Sequence, residues 1–370
     1  DRPAIIFRSE DKPDEILSYH QLRVLVARAA RALRKMGIVA GDRVAGFMPN
    51  MPMTQVAMLA ATSIGAVWTA SSPDFGIEGV LERFGQVEPR VLFTADGYFF
   101  KGKVIDSLGK VGSILKELPS IEKVVVVPFV SEQPNISGFE TATLLDDFLS
   151  ADQSPEIEFE QLPFSHPVYI MYSSGTTGLP KCMVQSAGGV LINHMKELQL
   201  HTNVTRDDKV FYFTTCGWMM WHWLTSSLAL GATIMLYDGS PFYPSEKSLW
   251  QFAEDNGMTV FGTSAGYISA LMNTGLKPAD DFDLSSLKLM TSTGSPLSDD
   301  GFEFVAEHVK KDMQLASISG GSDLNGCFFL GNPNIPVHVG ELQCSGLGIA
   351  STAWDDYGKQ VKDTQGELVC

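Results

Sequence analysis

Val168-Tyr169-Ile170-Met171-Tyr172-Ser173-Ser174-Gly175-Thr176-Thr177-Gly178-Leu179-Pro180-Lys181 is the stretch from which the rest of the chain can be read. An apolar run of strand length enters a segment with four hydroxyls and two glycines that closes on Pro-Lys. Gly175 and Gly178 let the backbone take positive φ and approach a ligand closely. Successive N–H groups in such a turn make an anion-binding concavity, which the Ser and Thr hydroxyls extend. Lys181 then offers a point charge. The spacing is not that of a Walker A loop, G-x-x-x-x-G-K-[ST]. A plain polar hairpin or strand-to-helix turn is the alternative, and the density of hydroxyls argues against it.

Upstream, Ser18 followed three residues on by Gln21 is a capping-box signature. Leu22, Leu25, Val26, Ala29, Leu33 and Met36 recur at helical spacing, and Gly37 supplies the stop. Strands are predicted at Arg43–Met48, Ala66–Ala70, Val91–Thr94, Lys123–Val127 and Val168–Tyr172. More follow at Val210–Thr214, Thr233–Tyr237, Thr259–Phe261 and Lys288–Thr291. Between them the patterning predicts helices at Met53–Ser63, Gly79–Val87, Val104–Leu118, Val190–Leu200, Ser245–Glu254, Tyr267–Asn273 and Asp299–Val309. Strands alternating with helices imply an α/β chain with mostly parallel sheets flanked by helices. Ser131–Phe164, rich in Pro, Glu, Asp and Ser, reads as a surface connection. The expected division is therefore two packed α/β subdomains, 1–164 and 165–330, with the start of a small β unit at 331–370.

Composition bounds the function. A formal charge of −16, from 43 acidic and 27 basic residues, opposes phosphate backbones and anionic lipid, so neither nucleic acid nor membrane is an expected partner. The apolar Trp218–Tyr237 stretch is interrupted by His222, Thr225, Ser226, Ser227 and Gly231, and reads as a buried helix and strand. Five dispersed cysteines without a C-x-x-C pair fit a reducing cytoplasm. The chain opens on Asp1-Arg2-Pro3 with no visible signal peptide. Its seven histidines form no H-x-x-x-H or H-E-x-x-H pair, so no catalytic zinc is expected.

Ser173–Lys181 resembles the phosphate loop of the adenylate-forming superfamily, which includes acyl-CoA synthetases, luciferases and peptide-synthetase adenylation domains. Gly294-Ser295-Pro296 is similar to the segment that borders adenine and ribose there, and Ser317–Asp323 to the segment lining both adenine and acyl pockets. Gly340-Glu341-Leu342 opens a β unit as that family does. Three segments resemble most the branch that activates acetoacetate: Trp68–Gly76, Thr215–Trp223 and Ile318–Gly326.

The resemblance implies the superfamily's N-terminal fold and an ATP-dependent ligase. It would convert acetoacetate to an acyl-adenylate with release of pyrophosphate, then transfer the acyl group to CoA. ATP would be held by Ser173, Ser174, Gly175, Thr176, Thr177, Gly178 and Lys181, and on the nucleoside side by Gly294, Ser295 and Pro296. Ser317, Ile318, Ser319, Gly320, Gly321 and Ser322 would complete that site. Thr176, Lys181 and Asp323 are the implied catalytic residues, Asp323 holding Mg²⁺ directly or through water. Trp218, Met219, Met220 and Gly320 would line the acyl pocket, glycine at 320 leaving room that a Trp takes in acetate-using relatives. For Trp218 the plainer reading is a core Trp, and for both methionines plain packing. Three departures stand out: Cys182 for Gly, Ser295 for Glu and Asp323 for Glu. The family's ribose-binding Asp, hinge and lid domain with its adenylation Lys are expected beyond Cys370, so the chain alone should bind nucleotide weakly and turn over poorly.

Other readings remain open at this point. An acetyl- or propionyl-CoA synthetase would share the chemistry. A non-catalytic nucleotide-binding module would keep only the binding. Gly262-Thr263-Ser264-Ala265-Gly266 also fits the G-x-S-x-G of a serine hydrolase, with Asp280 or Asp299 and His308 or His338 following in order.

Overall fold

The computed structural model describes residues 1–149, 151–152, 156–173 and 178–370. The first helix, Tyr19–Lys35, starts where the capping box places it. Ser18 Oγ accepts the Gln21 N–H, and the Gln21 side chain accepts the Ser18 N–H. Leu22, Val26, Ala29, Ala30 and Leu33 form its buried stripe, and Gly37 follows at φ +79°.

Two seven-stranded sheets carry the fold. The first runs, edge to edge, Lys181–Ser186, Pro167–Ser173, Val67–Ser71, Arg43–Phe47, Val91–Ala95, Lys123–Val127 and Ala142–Leu144, parallel except for the first pair. The second runs Gln314–Ser317, Leu289–Thr293, Val260–Ser264, Lys209–Tyr212, Thr233–Asp238, Pro3–Ser9 and Lys12–Ser18, parallel except for the last pair. Sheet membership does not follow the expected division at residue 164. Pro3–Ser9 joins the second sheet, and the hairpin of Pro167–Ser173 and Lys181–Ser186 joins the first. Burial explains both crossings. Ala4, Ile5, Ile6 and Phe7 need cover on both faces, as do Tyr169, Ile170, Met171 and Tyr172, and only interior strand positions provide it.

Other departures are local. The first three residues of the expected Val104–Leu118 helix belong to a strand, Lys103–Asp106, paired with Gly97–Phe100, and the helix is Leu108–Glu117. Lys101 and Gly102 both have positive φ, which is the two-residue turn that closes a tight hairpin. The helix after strand Lys181–Ser186 is Ala187–Lys196 and continues as a π-helical turn, Glu197–His201. Ser131–Phe164 is more than a connection, since Ala142–Leu144 extends the first sheet and a short helix, Leu145–Phe148, follows. The β unit starts earlier than residue 331, because Ser319–Gly321 and Gly326–Leu330 already pair with each other and the latter with Cys344–Ser345. Trp218–Tyr237 is buried for most of its length as helix Met219–Ser226 and strand Thr233–Asp238. Among the described residues no helix is long and apolar enough to cross a membrane.

Ser18→Ala should lower unfolding free energy by about 1 kcal/mol, the usual worth of such a cap. Urea titration should show a lower midpoint at unchanged slope.

Candidate active site

Ser173 and Lys181 are cross-strand partners, the pair nearest the tip of the antiparallel hairpin of Pro167–Ser173 and Lys181–Ser186. Ser174, Gly175, Thr176 and Thr177 lie outside the described residues. Gly178 and Lys181 are exposed. Gln86 Nε2 donates to the Pro180 carbonyl at 2.8 Å, fixing the lysine end of the tip to helix Ile77–Val87. Among the described residues Lys181 has no carboxylate partner, which leaves its charge available.

A cavity of about 380 Å³ opens at the carboxyl ends of the neighbouring strands Leu289–Thr293 and Gln314–Ser317. Open α/β sheets bind ligands in such crevices. Gly294, Ser295 and Pro296 form one wall, and Ser317, Ile318, Ser319 and Gly320 another. The two walls are tied together. The Ile318 N–H donates to the Ser292 carbonyl at 2.8 Å, and Thr293 Oγ1 donates to the Ile318 carbonyl at 3.0 Å. Gly294 turns the chain at φ +89°, a left-handed conformation that favours glycine. The sequence reading missed Thr293, Leu297 and Phe302, and placed Gly340, Glu341 and Leu342 only at a domain edge, whereas all six line this cavity. Position just past a predicted strand end was the usable signal for Thr293. Nothing local marks Phe302.

Gly321, Ser322 and Asp323 lie just beyond that lining, Gly321 ending strand Ser319–Gly321 and the other two in the turn before Gly326–Leu330. Gln185 Nε2, on the strand that Lys181 begins, donates to the Ser322 carbonyl at 3.1 Å. Gln185 lies four residue steps along the strand from Lys181, a span of about 13 Å. The Lys181 hairpin and the Asp323 turn are therefore neighbours. Asp323 is exposed. Among the described residues no group of three metal-ligating side chains occurs. One carboxylate with nucleotide oxygens is nonetheless a donor set that suits Mg²⁺, which usually takes one or two carboxylates beside substrate phosphates.

The acyl-side expectations divide. Trp218 is 57% exposed, so it is not a core tryptophan. It borders a small slot with Ser71, Phe75, Arg83, Tyr172 and Gly217. Arg83 stacks over Phe75, 4.5 Å from the ring centre, a feature no sequence pattern announced. Met219 and Met220 are 8% exposed and pack in the main core, as the plainer reading had it. For Gly320 the structure gives another reason. A Cβ there would run into the Gly326 carbonyl and the Cys327 backbone, so close strand approach itself demands glycine, and the missing side chain would point at that strand. A larger cavity, about 500 Å³, lies among Leu22, Val26, Met58, Leu59, Val190 and Leu228. Its lining is overwhelmingly apolar and offers little to a phosphate.

The profile of the AMP-binding enzyme family matches residues 1–368. The chain belongs to that family. An acetoacetyl-coenzyme A synthetase of Rhizobium meliloti (strain 1021) is 53% identical over 371 residues, covering 99% of this chain and 56% of that protein. Acetoacetyl-CoA synthetase of Gallus gallus is 49% identical over 372 residues, covering 99% and 56%. Among solved structures, acetoacetyl-CoA synthetase from Streptomyces lividans superposes with a TM-score of 0.94 at 43% identity, covering 100% of this chain and 56% of that one. The chain thus spans little more than half the length of these relatives.

In this AMP-binding chain a buried polar layer supports the Asp323 turn. Glu197, fully buried, accepts the Cys327 N–H at 3.0 Å and the Trp223 indole N–H at 3.1 Å, with Lys196 Nζ 3.4 Å away. Burial pushes its carboxyl up, and those hydrogen bonds and Lys196 pull the other way. His194 Nε2–H donates to the Asn325 carbonyl at 3.0 Å, and Nδ1 lies 2.8 Å from Ser226 Oγ. Burial pushes His194 down to about 4, so it is neutral at physiological pH. The G-x-S-x-G match has no elbow geometry. Ser264 sits at φ −106°, ψ 155° as the cap of helix Ala265–Thr274, accepting the Tyr267 N–H at 3.1 Å. Among the described residues no histidine bonds to it. A strained nucleophile turn is absent.

His194 also fixes a pH response. Its folded value lies below the unfolded value of about 6.5, so the unfolded chain takes the proton first and stability is lost as pH falls from about 6.5 towards 4. In denaturant titrations at pH 7 and pH 4.5, His194→Gln should lose less stability between the two than the native chain.

Proposed function

We propose that this chain is the nucleotide- and acyl-binding part of an AMP-forming acetoacetate–CoA ligase of the cytoplasm. The observation that carries the reading is the meeting of the 293–296 and 317–320 walls at one crevice, with the Lys181 hairpin and the Asp323 turn joined beside it through Gln185. Identity of 49–53% to two acetoacetyl-CoA synthetases supports acetoacetate as the acid. Free cysteines at all five positions support the compartment.

In the first step a carboxylate oxygen attacks the α-phosphorus of ATP, the bond to the bridging oxygen breaks, and pyrophosphate leaves. In the second, the CoA thiol gives up its proton and attacks the acyl carbon, and AMP leaves. Neither step needs covalent help from the protein, so its contribution is position and charge. Lys181 offers the cation for the departing pyrophosphate, together with Ser173 and the hydroxyls and glycines through Gly178. Gly294–Pro296 and Ser317–Ser322 hold the nucleoside. Mg²⁺, bound with Asp323, would neutralise phosphate charge. Trp218, at its exposed slot, meets the acyl group, and Gly320 lines the nucleotide crevice.

The test is ATP–pyrophosphate exchange by the enzyme that carries this chain, with acetoacetate beside acetate, propionate, butyrate and 3-hydroxybutyrate. Acetoacetate should give the strongest exchange, and Lys181→Ala should cut it by about a hundredfold or more. Strongest exchange with another acid would replace the substrate. No exchange with any acid would remove the ligase reading in favour of a non-catalytic nucleotide-binding module.

A further inference from the structure

The carbonyls on either side of Asp323 are held by side chains from the phosphate-loop half of the site. Gln185 donates to the Ser322 carbonyl at 3.1 Å. Asn193 Nδ2 and His194 Nε2 both donate to the Asn325 carbonyl, each at 3.0 Å. Asn325 itself is 2% exposed and sits at φ +50°, a left-handed conformation that Asn tolerates better than most residues. Its Nδ2 donates to Tyr169 Oη at 2.7 Å. Tyr169 is 1% exposed, on the strand that enters the phosphate loop, and its ring lies against the ring of His222 at 4.1 Å. Every one of these four anchors belongs to the segment from Pro167 to Lys196, the same one that carries Ser173 and Lys181.

A turn needs no such support to exist. Ser322–Asn325 already closes its own bond, the Asn325 N–H donating to the Ser322 carbonyl at 3.3 Å. What the added bonds fix is where the turn stands relative to the hairpin. We infer that Asn325 and Tyr169 are positioning residues that set the place of the Asp323 carboxylate against the hairpin strand that Lys181 begins, so that one metal-bound nucleotide can engage both Asp323 and Lys181. This rests on the reading above that Asp323 holds the metal. Buried hydrogen bonds between such groups are costly to break and leave a polar atom stranded, and a metal site is sensitive to the shell behind its ligand.

Tyr169→Phe removes the hydroxyl and keeps the ring. Asn325→Gly removes the side chain and keeps the left-handed backbone, so a variant that folds is available even if the first does not. The measurement is calorimetric binding of a non-hydrolysable ATP analogue to the enzyme carrying this chain, across a Mg²⁺ titration. Both variants should raise half-saturating Mg²⁺ about five- to tenfold, with affinity for the metal-free nucleotide unchanged. In an Asp323→Asn background, Tyr169→Phe should add no further shift, as expected for groups acting through one carboxylate. A merely structural role would lower the melting temperature and leave the Mg²⁺ curve in place, and that result would overturn the inference. So would a shift that persists without Asp323. If the unmodified enzyme binds the analogue independently of Mg²⁺, or if Asp323→Asn alone leaves the Mg²⁺ curve unmoved, the metal role itself fails and this inference with it. If those two hold and only the Tyr169 and Asn325 variants are silent, the function stands and the positioning role falls.

Discussion

Glu197 has no access to water, and a carboxylate in that state must be satisfied by its neighbours or give up its charge. Its two oxygens meet the Cys327 backbone and the Trp223 indole, which brings three elements to one point: the turn after helix Ala187–Lys196, helix Met219–Ser226 and strand Gly326–Leu330. The fit leaves no room for a side chain on the strand, since a Cβ at Gly326 would collide with Asn193 and Glu197. The π-helical turn beginning at Glu197 keeps the same side of the helix facing the strand a little further, where His201 Nδ1 donates to the Gly331 carbonyl at 2.8 Å. Contacts to Asn325, Cys327 and Gly331 thus fall in order along strand Gly326–Leu330 and the residues that flank it. Loosening this layer would let the acidic turn drift from the hairpin while both sheets stayed intact.

The exchange of strands between sheets has the same consequence on a larger scale. A chain that folded residues 1–164 and 165–330 as separate units would place the Lys181 hairpin and the 293–297 and 317–320 crevice on independently moving bodies. Instead the hairpin is an extension of the first sheet and the N-terminal strand an interior member of the second. Buried side chains of both sheets join in one large core that includes Trp68, Trp221 and Trp223. Tryptophans buried this completely contribute several kcal/mol each, of order the net stability of a domain. The site lies at the edge of that shared core.

Much of this was legible in the sequence because the signals were local. Capping chemistry at Ser18 and Gln21, helical spacing through Leu33 and β-branched runs such as Lys123–Val127 each need only neighbouring residues to be read. The crevice walls were legible for the same reason, as short segments placed after predicted strands. What escaped the sequence depends on distant residues. Phe302 and Arg83 carry no pattern, and reach their places only when helices dock. Asn325 is an ordinary turn residue until Tyr169, 156 positions away, meets its amide. Gly320 was read as room for a substrate, and its backbone neighbour Gly326 could be seen only once the strands paired.

Amide hydrogen exchange with and without Mg²⁺, ATP and acetoacetate tests the central claim most directly, because it locates the ligand without presupposing turnover. The account predicts slowed exchange at 293–297, 317–323 and 340–342 together with the hairpin tip at 173–181, and no change in the helices around the 500 Å³ apolar cavity. Protection confined to that apolar cavity, or none at the crevice, would contradict it.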